Sequence, residues 1–227
     1  MPPHDGLSVG LFDRPELDDR ERRRAASFLR PRDAALYVCA HLALRHVLGV
    51  RLGVAPGDVR LTRAPCPGCG GPHGRPVLEG SSPAVRFSLS HSEGTALVAV
   101  AETAVGVDVQ GLPGADTVDV CLPALHPDER AELTQEPVGV LPAAFGQLWA
   151  RKEAYLKGLG TGLGRSPSLD YLGTRVHRRP DGWTVTDLAC GPHHRAAVAL
   201  REPAPVAVPV RRLSLGRLVP DLAADIS

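Results

Sequence analysis

The sequence predicts an α+β protein made of two similar halves. Segments with the apolar spacing of amphipathic helices occur in both halves of the chain, and so do segments with the two-residue alternation of strands. Such a mixture favours helices packed on small antiparallel sheets. In chain order the predicted elements are a helix at 33–48, a hairpin at 85–101, a strand at 105–110, a helix at 144–158, a hairpin around 180–182 and a strand at 196–201.

A basic cluster precedes the first predicted helix. A run of charge is usually a solvated face, so for any one of these side chains that interpretation stands beside anion binding. The cluster consists of Arg20, Arg22, Arg23, Arg24, Arg30 and Arg32.

The hairpin at 85–101 carries polar side chains on one face of its first strand. Buried positions are expected at Val85, Phe87 and Leu89, and polar positions at Arg86, Ser88 and Ser90. Ser90 and His91 then lie near the tip of the hairpin, where functional residues often occur. A lone histidine at a tip is nevertheless more often solvated than bound to a phosphate.

The strand at 105–110 combines an apolar face with a polar face that could bind a ligand or a metal ion. The three valines of the segment alternate with other residues, so Asp108 and Gln110 point the same way. Gly106 leaves space beside Asp108 for a ligand or for a neighbouring backbone. An aspartate at a strand end can also merely cap a turn, and Gly111 with Pro113 marks a turn just beyond.

The helix at 144–158 contains the only two lysines of the chain, Lys152 and Lys157. Arginine supplies positive charge everywhere else, which indicates that these two positions need a compact ammonium. Helical spacing places Trp149, Glu153 and Lys157 on one face, and Gly158 and Gly160 end the run. The pair Glu153–Lys157 also has the favoured spacing of an ordinary surface ion pair, which contributes only about 0.3–0.5 kcal/mol.

Composition predicts a cytoplasmic protein without general affinity for nucleic acid or membranes. The net charge is +1, 22% of residues are charged, and no apolar run reaches the length of a membrane span. The N-terminus lacks the apolar region of a signal peptide. Five cysteines, an odd number without secretory context, favour reduced thiols.

Cys66, Cys69 and His73 have the spacing of a zinc-binding turn. Only three ligands are local, whereas tetrahedral structural zinc takes four. The alternative is a turn rich in proline and glycine that carries two reduced thiols. A structural zinc ion at this turn is therefore an open possibility.

Together, these motifs resemble the 4′-phosphopantetheinyl transferases of the Sfp type. The resemblance runs from about Phe28 to the strand at 196–200, and it rests on four segments in order: Gly74-Arg75-Pro76, Phe87 to His91, Gly106 to Gln110, and Trp149 to Lys157 followed by Gly160-Thr161-Gly162-Leu163. It implies two α/β halves related by a pseudo-twofold, with the active site in the cleft between them. The halves would be 1–104, which binds coenzyme A, and 105–202, which carries the metal site and catalytic helix, followed by a tail at 203–227.

The resemblance also implies a reaction and its machinery. The enzyme would transfer the phosphopantetheine arm of coenzyme A to a serine of an apo carrier protein and release 3′,5′-bisphosphoadenosine. Phosphoryl transfer depends on positioning and on charge neutralisation, so Mg²⁺, for which Mn²⁺ can substitute, is expected on carboxylate oxygens. Asp108, Gln110 and Glu153 are the expected metal ligands. Relatives most often have an acidic residue at the position of Gln110, and its amide oxygen or a bridging water would substitute.

Catalytic roles follow from the same chemistry. Glu153, or a metal-bound water beside it, would accept the proton of the attacking serine. Lys157 would stabilise the leaving bisphosphate, and Lys152 would add positive charge at the pyrophosphate.

Coenzyme A contacts are carried over from the resemblance. Arg75 and Pro76 would lie along the adenine, and Ser90 with His91 would touch phosphates, where a nearby anion favours imidazolium. Leu36 occupies a position where relatives often have an arginine, so the 3′-phosphate is assigned to the basic cluster instead. The expected residues are Arg24 and Arg32.

The expected partners are coenzyme A and acyl or peptidyl carrier proteins of fatty acid, polyketide or nonribosomal peptide synthases, including those of secondary metabolite biosynthesis. A monomer that docks carriers through the segment 111–130 is expected, although the apolar residues of that segment suit a core equally well. Two other functions remain open. One is a magnesium-dependent phosphohydrolase that uses the same carboxylates, and the other is a noncatalytic zinc-knuckle binding module.

Overall fold

The structure, a computed structural model, describes residues 13–80, 85–202, 204 and 207–213. The helices are α1 (Asp19–Ala26), α2 (Pro31–Leu52), α3 (Ala115–Cys121), α4 (Pro127–Leu133) and α5 (Leu141–Leu159). The strands are β1 (Leu61–Arg63), β2 (Pro76–Leu78), β3 (Arg86–Ser92), β4 (Thr95–Ala101), β5 (Val105–Gly111), β6 (Thr184–Leu188) and β7 (His194–Leu200). Most of the predicted tail at 203–227 lies outside the described residues.

The described strands form small antiparallel sheets, which confirms the α+β class. Strand β1 pairs with β2, β3 pairs with β4, and a third sheet has the order β5-β7-β6. The division into halves at 104/105 falls between β4 and β5, and the pseudo-twofold relation stays a prediction. The hairpin expected around 180–182 was misplaced: that turn leads into β6, and β6 connects to its partner β7 through 189–193.

Helix α2 is longer than predicted and forms part of the core. It runs four residues past the predicted end at 48, to Leu52, and ends where Gly53 adopts φ 71°. By length and by mean hydropathy, 1.2 over its most apolar 18 residues, it could cross a membrane, so the expectation that no apolar run is long enough was wrong. In the fold its apolar side chains serve packing, because Leu44 and Leu48 are buried in one cluster with Phe87 of β3.

Strands β3 and β5 belong to different sheets and are joined by serine side chains. The backbone N–H groups of Val107, Val109 and Gly111 donate to the Oγ atoms of Ser88, Ser90 and Ser92, at 3.0, 3.2 and 3.2 Å. The alternation that predicted a polar face on β3 therefore provides a row of acceptors for β5. Each such bond contributes about 1 kcal/mol, and together they fix the position of β5 relative to β3.

Helix α5 packs directly on β5 because Gly106 has no side chain. A Cβ atom at this position would lie 1.9 Å from the carbonyl oxygen of Ala154 and 2.4 Å from the amide nitrogen of Gly158. The space beside Asp108 is thus taken by neighbouring backbone rather than by a ligand. This close approach brings the side chains of α5 over the polar face of β5.

We expect Gly106→Ala to lower the free energy of unfolding by about 3 kcal/mol or more, because helix backbone atoms cannot yield to the new methyl group. Chemical denaturation measures the change. Gly139→Ala is the control, since a Cβ there meets no atom within 4 Å. Equal stability of the two variants would contradict the proposed contact.

Candidate active site

Asp108 is a buried carboxylate held by three different elements. Its side chain on β5 is 1% exposed. Oδ1 accepts hydrogen bonds from Ser90 Oγ at 2.8 Å and from Lys157 Nζ at 2.5 Å, and Oδ2 accepts from Gln110 Nε2 at 2.7 Å. Burying a carboxylate is costly unless it is paired and hydrogen-bonded, and here both conditions are met.

Glu153 lies beside Asp108 on the overlying helix. Burial first, and then the Asp108 carboxylate, raise the pKa of Glu153, while Lys157 opposes the rise. Among the described residues its carboxylate makes no hydrogen bond or ion pair. The buried Asp108 thus lies near a second, partly buried carboxylate whose two oxygens have no partner among the described residues. Two carboxylates share one cation, Lys157, so the site lacks positive charge.

Gln110 contributes a hydrogen-bond donor in this structure. Its amide nitrogen faces Asp108, so its amide oxygen is not directed at a shared position with the carboxylates. The sequence-based expectation of an oxygen ligand at this position requires the amide to turn, and it stays a prediction.

Ser90 and His91 do not line the large cavity that lies next to the carboxylates. Ser90 is buried and bonds Asp108 and the backbone of β5, so it positions the carboxylate. His91 packs edge-on against Tyr37, with ring centroids 6.2 Å apart. Burial, then His41 and Lys157, lower the pKa of His91. The expected contact of Ser90 and His91 with phosphates stays a prediction.

Lys152 does not face the site, and its expected role at the pyrophosphate was wrong. Its ammonium is buried, pairs with Glu129 at 2.7 Å, and donates to the carbonyl oxygens of Pro167 and Asp170, each at 2.7 Å. These three bonds use all three of its N–H donors. Burial lowers the pKa of Lys152, and Glu129 opposes that effect. Lys152 therefore ties α5 to α4 and to the loop after α5.

A cavity of about 1040 Å³ lies next to the carboxylates and has a basic lining. Lys157 joins the two features, since it lines the cavity and also contacts Asp108. The other cationic residues of the lining are Arg20, Arg23, Arg24, Arg63 and Arg75. Burial and then the nearby Arg20 lower the pKa of Arg63, as expected where cations crowd together.

The two carboxylates in the cavity lining are already neutralised. Arg45 of α2 is 1% exposed and bonds Glu21 at 2.7 Å and Asp18 at 3.1 Å, while His41 contacts the other Glu21 oxygen at 2.8 Å. Asp18 also caps α1. This cluster anchors the helix that carries Arg20, Arg23 and Arg24, and it leaves the cavity net positive.

Of the predicted coenzyme A residues, half line the cavity, namely Arg24, Arg75, Pro76 and Lys157, and half do not, namely Arg32, Ser90, His91 and Lys152. Arg75 Nη1 also donates to the carbonyl oxygen of Gly158 at 2.9 Å. Arg24 lines the cavity with its guanidinium 4.9 Å from the ring centroid of Phe28. Arg32 lies outside the lining, with its side chain 77% exposed and 3.8 Å from Asp33, so the structure does not support its assignment to the 3′-phosphate.

Sequence reasoning missed several residues of this site. Arg63 was missed because the sequence around it contains no recognisable motif. Arg45 was missed because a single arginine within an apolar helix was not recognised as a buried ion-pair partner. Thr161 lies in a quoted motif but received no role, and its Oγ1 is buried without a hydrogen-bond partner among the described residues. Thr161 lines the cavity, so rotation of its side chain would turn this hydroxyl toward a ligand.

The segment 111–130, expected to dock carriers, is divided between core and surface. Val118 and Leu125 are buried in the main core cluster, whereas Val120 is 79% exposed. The core interpretation therefore holds for some of its apolar residues, while others lie exposed at the surface. Docking itself stays a prediction.

We expect Lys152→Met to lower the free energy of unfolding by about 3–5 kcal/mol, because it leaves Glu129 buried without its cation. Arg51→Met should cost much less stability, since its ion pair with Glu102 lies at the surface with both side chains exposed. Thermal and chemical denaturation of both variants measure the difference. The double variant Glu129→Gln, Lys152→Met should recover part of the loss, and a Lys152→Met protein as stable as wild type would refute the structural role.

Comparison with known proteins shows similarity to one family of enzymes. The model of the 4′-phosphopantetheinyl transferase superfamily matches residues 104–204. The 4′-phosphopantetheinyl transferase HetI of a Nostoc species is 29% identical over 192 residues, which cover 81% of this chain and 78% of the relative. The psf-1 transferase of Bacillus pumilus is 30% identical over 140 residues, covering 58% and 59% of the two chains.

A human protein is also similar to this chain. The human L-aminoadipate-semialdehyde dehydrogenase-phosphopantetheinyl transferase is 27% identical over 220 residues, covering 82% of this chain and 68% of the relative. The family match includes β5, α5 and β7, the elements that build the carboxylate site. These comparisons support the 4′-phosphopantetheinyl transferase superfamily for this chain, and with it an enzyme of the transferase class.

Proposed function

We propose that the protein transfers 4′-phosphopantetheine from coenzyme A to a serine of an apo carrier protein, with Mg²⁺, and releases 3′,5′-bisphosphoadenosine. The observation that carries the proposal is the basic cavity of about 1040 Å³ that meets a pair of carboxylates at Lys157. Coenzyme A is an extended polyanion with a pyrophosphate at its centre. A cationic cavity that ends at a metal-binding carboxylate pair suits such a substrate.

The carboxylate pair fits a divalent cation. Glu153 has a raised pKa and no polar partner among the described residues, and Asp108 contributes to that rise. A hard cation with oxygen ligands relieves this repulsion, and Mg²⁺ binds such oxygens together with substrate phosphates. Asp108 and Glu153 would hold the ion, and Gln110 could join them by turning its amide oxygen. When bound, Mg²⁺ would neutralise charge on the pyrophosphate oxygens.

Lys157 is suited to stabilise the leaving group. Its ammonium already faces the carboxylates on one side and the cavity on the other. In the proposed reaction the serine oxygen forms a new bond to the phosphorus that carries the pantetheine, and the bond from that phosphorus to the bridging oxygen breaks. Charge then develops on the bridging oxygen, and Lys157 would stabilise it by a charge-assisted hydrogen bond.

Glu153 is suited to accept the proton of the attacking serine. A general base must lie within hydrogen-bond reach of the proton that it takes. The Glu153 carboxylate has no competing hydrogen bond among the described residues, so it is available to an incoming hydroxyl. Asp108, whose oxygens already accept three hydrogen bonds, is less suited to that role.

The arginines of α1 and the β1–β2 region are suited to hold the nucleotide phosphates. Arg20, Arg23 and Arg24 come from one helix, Arg63 comes from β1, and Arg75 comes from the loop just before β2. Bidentate guanidinium groups match phosphate geometry better than ammonium does. Thr161 Oγ1 offers a further bond, because it lacks a partner in the described structure.

Acyl or peptidyl carrier proteins are the proposed acceptors, and the cytoplasm is the proposed location. Carrier proteins of this kind are commonly acidic, so the arginine-rich mouth of the cavity suits them electrostatically. The five cysteines are free thiols, in keeping with a reducing compartment. We propose that the enzyme acts as a monomer.

Mass spectrometry of an apo carrier protein incubated with coenzyme A and Mg²⁺ tests the reaction. We expect a mass gain equal to one phosphopantetheine, abolished by chelation of the metal. Asp108→Ala should lower the rate by several orders of magnitude, and Gln110→Glu should preserve or increase it. Release of nucleotide without carrier modification would indicate a phosphohydrolase instead, and full turnover by Asp108→Ala would exclude the metal site.

Substitution of the arginines tests recognition of the 3′-phosphate. We expect Arg24→Ala to raise the KM for coenzyme A by about 10- to 100-fold, as for the loss of one charge-assisted contact, and to leave the KM for 3′-dephospho-coenzyme A nearly unchanged. Arg32→Ala is the matched control and should behave like wild type with both substrates. Equal effects of the two substitutions would show that the lining does not select the phosphate.

A further inference from the structure

We propose that Cys66, Cys69 and His73, in the loop between β1 and β2, bind a zinc ion at the rim of the cavity. The sulfur atoms of the two cysteines and a ring nitrogen of the histidine all lie within 4.8 Å of one another. Cys69 Sγ and His73 Nε2 are 3.1 Å apart. Tetrahedral zinc with ordinary bond lengths requires ligand atoms about 3.5–3.8 Å apart, so small side-chain adjustments bring all three onto one ion.

The backbone of the loop is shaped for thiolate ligands. The N–H of Gly70 donates to the carbonyl oxygen of Cys66, and the N–H of Cys66 donates to the carbonyl oxygen of Gly71, both at 2.7 Å. The N–H groups of Gly68 and Cys69 point to the Cys66 sulfur. Such hydrogen bonds stabilise the thiolate form, which is the form that binds metals.

Two glycines suit the shape of this turn. Gly70 has φ 73°, in the left-handed region. At Gly71 a Cβ atom would lie 3.0 Å from the His73 ring and 3.4 Å from Cys69 Sγ. A side chain there would push apart two of the three proposed ligands, so the glycine preserves their approach.

The donor set selects zinc rather than the hard cation of the active site. Two thiolates and one imidazole are typical zinc ligands, whereas Mg²⁺ takes oxygen atoms. Among the described residues no fourth cysteine, histidine or carboxylate belongs to the cluster. Cys69 and His73 are exposed, so water can occupy the fourth position. Both cysteines are free thiols rather than a disulfide.

The ion would hold the outer part of one cavity wall. The base of the loop is already closed, since Ala64 N–H donates to the Arg75 carbonyl oxygen and Gly74 N–H to the Ala64 carbonyl oxygen, both at 3.0 Å. At the tip of the loop, the described contacts are those of the turn itself and the one between Cys69 and His73. Cys66 and His73 line the cavity, so metal binding would fix their side chains there.

Metal analysis of full-length protein purified under reducing conditions tests this site. We expect one zinc ion per chain, retained through mild chelation, and its loss in each of Cys66→Ser, Cys69→Ser and His73→Asn. Cys190→Ser is the matched control and should keep its zinc, because that thiol lies between β6 and β7. Circular dichroism checks that the variants are folded, as expected for a loop at the surface.

Titration of zinc-free wild-type protein with Co²⁺ gives a measurement that needs no variant. We expect thiolate-to-cobalt charge-transfer absorption with a tetrahedral visible spectrum, reversed by one equivalent of zinc. Absence of that absorption in reduced, folded protein would overturn the proposal, as would zinc content unchanged by the three substitutions. Both measurements concern metal binding alone, so their outcome is independent of the proposed transfer reaction.

Discussion

The buried carboxylate of Asp108 is the constraint on which the site depends. It receives donors from β3, β5 and α5, so it links the serine-bridged strands to the helix above them. A carboxylate taken out of water must be compensated by donors and cations, and Lys157 supplies the cation. Because Lys157 also lines the large cavity, the same ion pair connects the cavity to the carboxylates. Glu153 completes the arrangement as an acidic group without its own compensation.

Two lysines in one helix have opposite roles. Their rarity indicated the right segment, and helical spacing put Lys157 on the face of Glu153. The sequence could not show that Lys152 faces the core, because its partners Glu129, Pro167 and Asp170 come from distant segments. A buried ammonium with three acceptors stabilises the fold, whereas a half-exposed one next to a cavity remains available to a substrate. Position on the helix, and not residue type, decides between them.

Local patterns predicted the α+β class and the faces of β3 and β5, because side-chain alternation follows from backbone geometry. Contacts between distant segments escaped prediction. Ser90 was expected to contact phosphates, but in the structure it supports Asp108. Gly106 admits helix backbone rather than a ligand. Likewise Arg75 reaches Gly158 across the chain, and the exposed Arg32 was preferred over Arg20, Arg23 and Arg63, which line the cavity. Spacing along one strand or helix cannot reveal which other element it meets.

Binding of Mn²⁺ in the presence of coenzyme A, followed by electron paramagnetic resonance, tests the central claim most directly. If Asp108 and Glu153 share one ion, wild-type protein will bind a single Mn²⁺, and Asp108→Asn and Glu153→Gln will each weaken that binding severely. Glu132→Gln, which changes a carboxylate paired with Arg175 away from the cavity lining, will bind like wild type. Undiminished Mn²⁺ binding by either Asp108→Asn or Glu153→Gln would contradict a shared metal site.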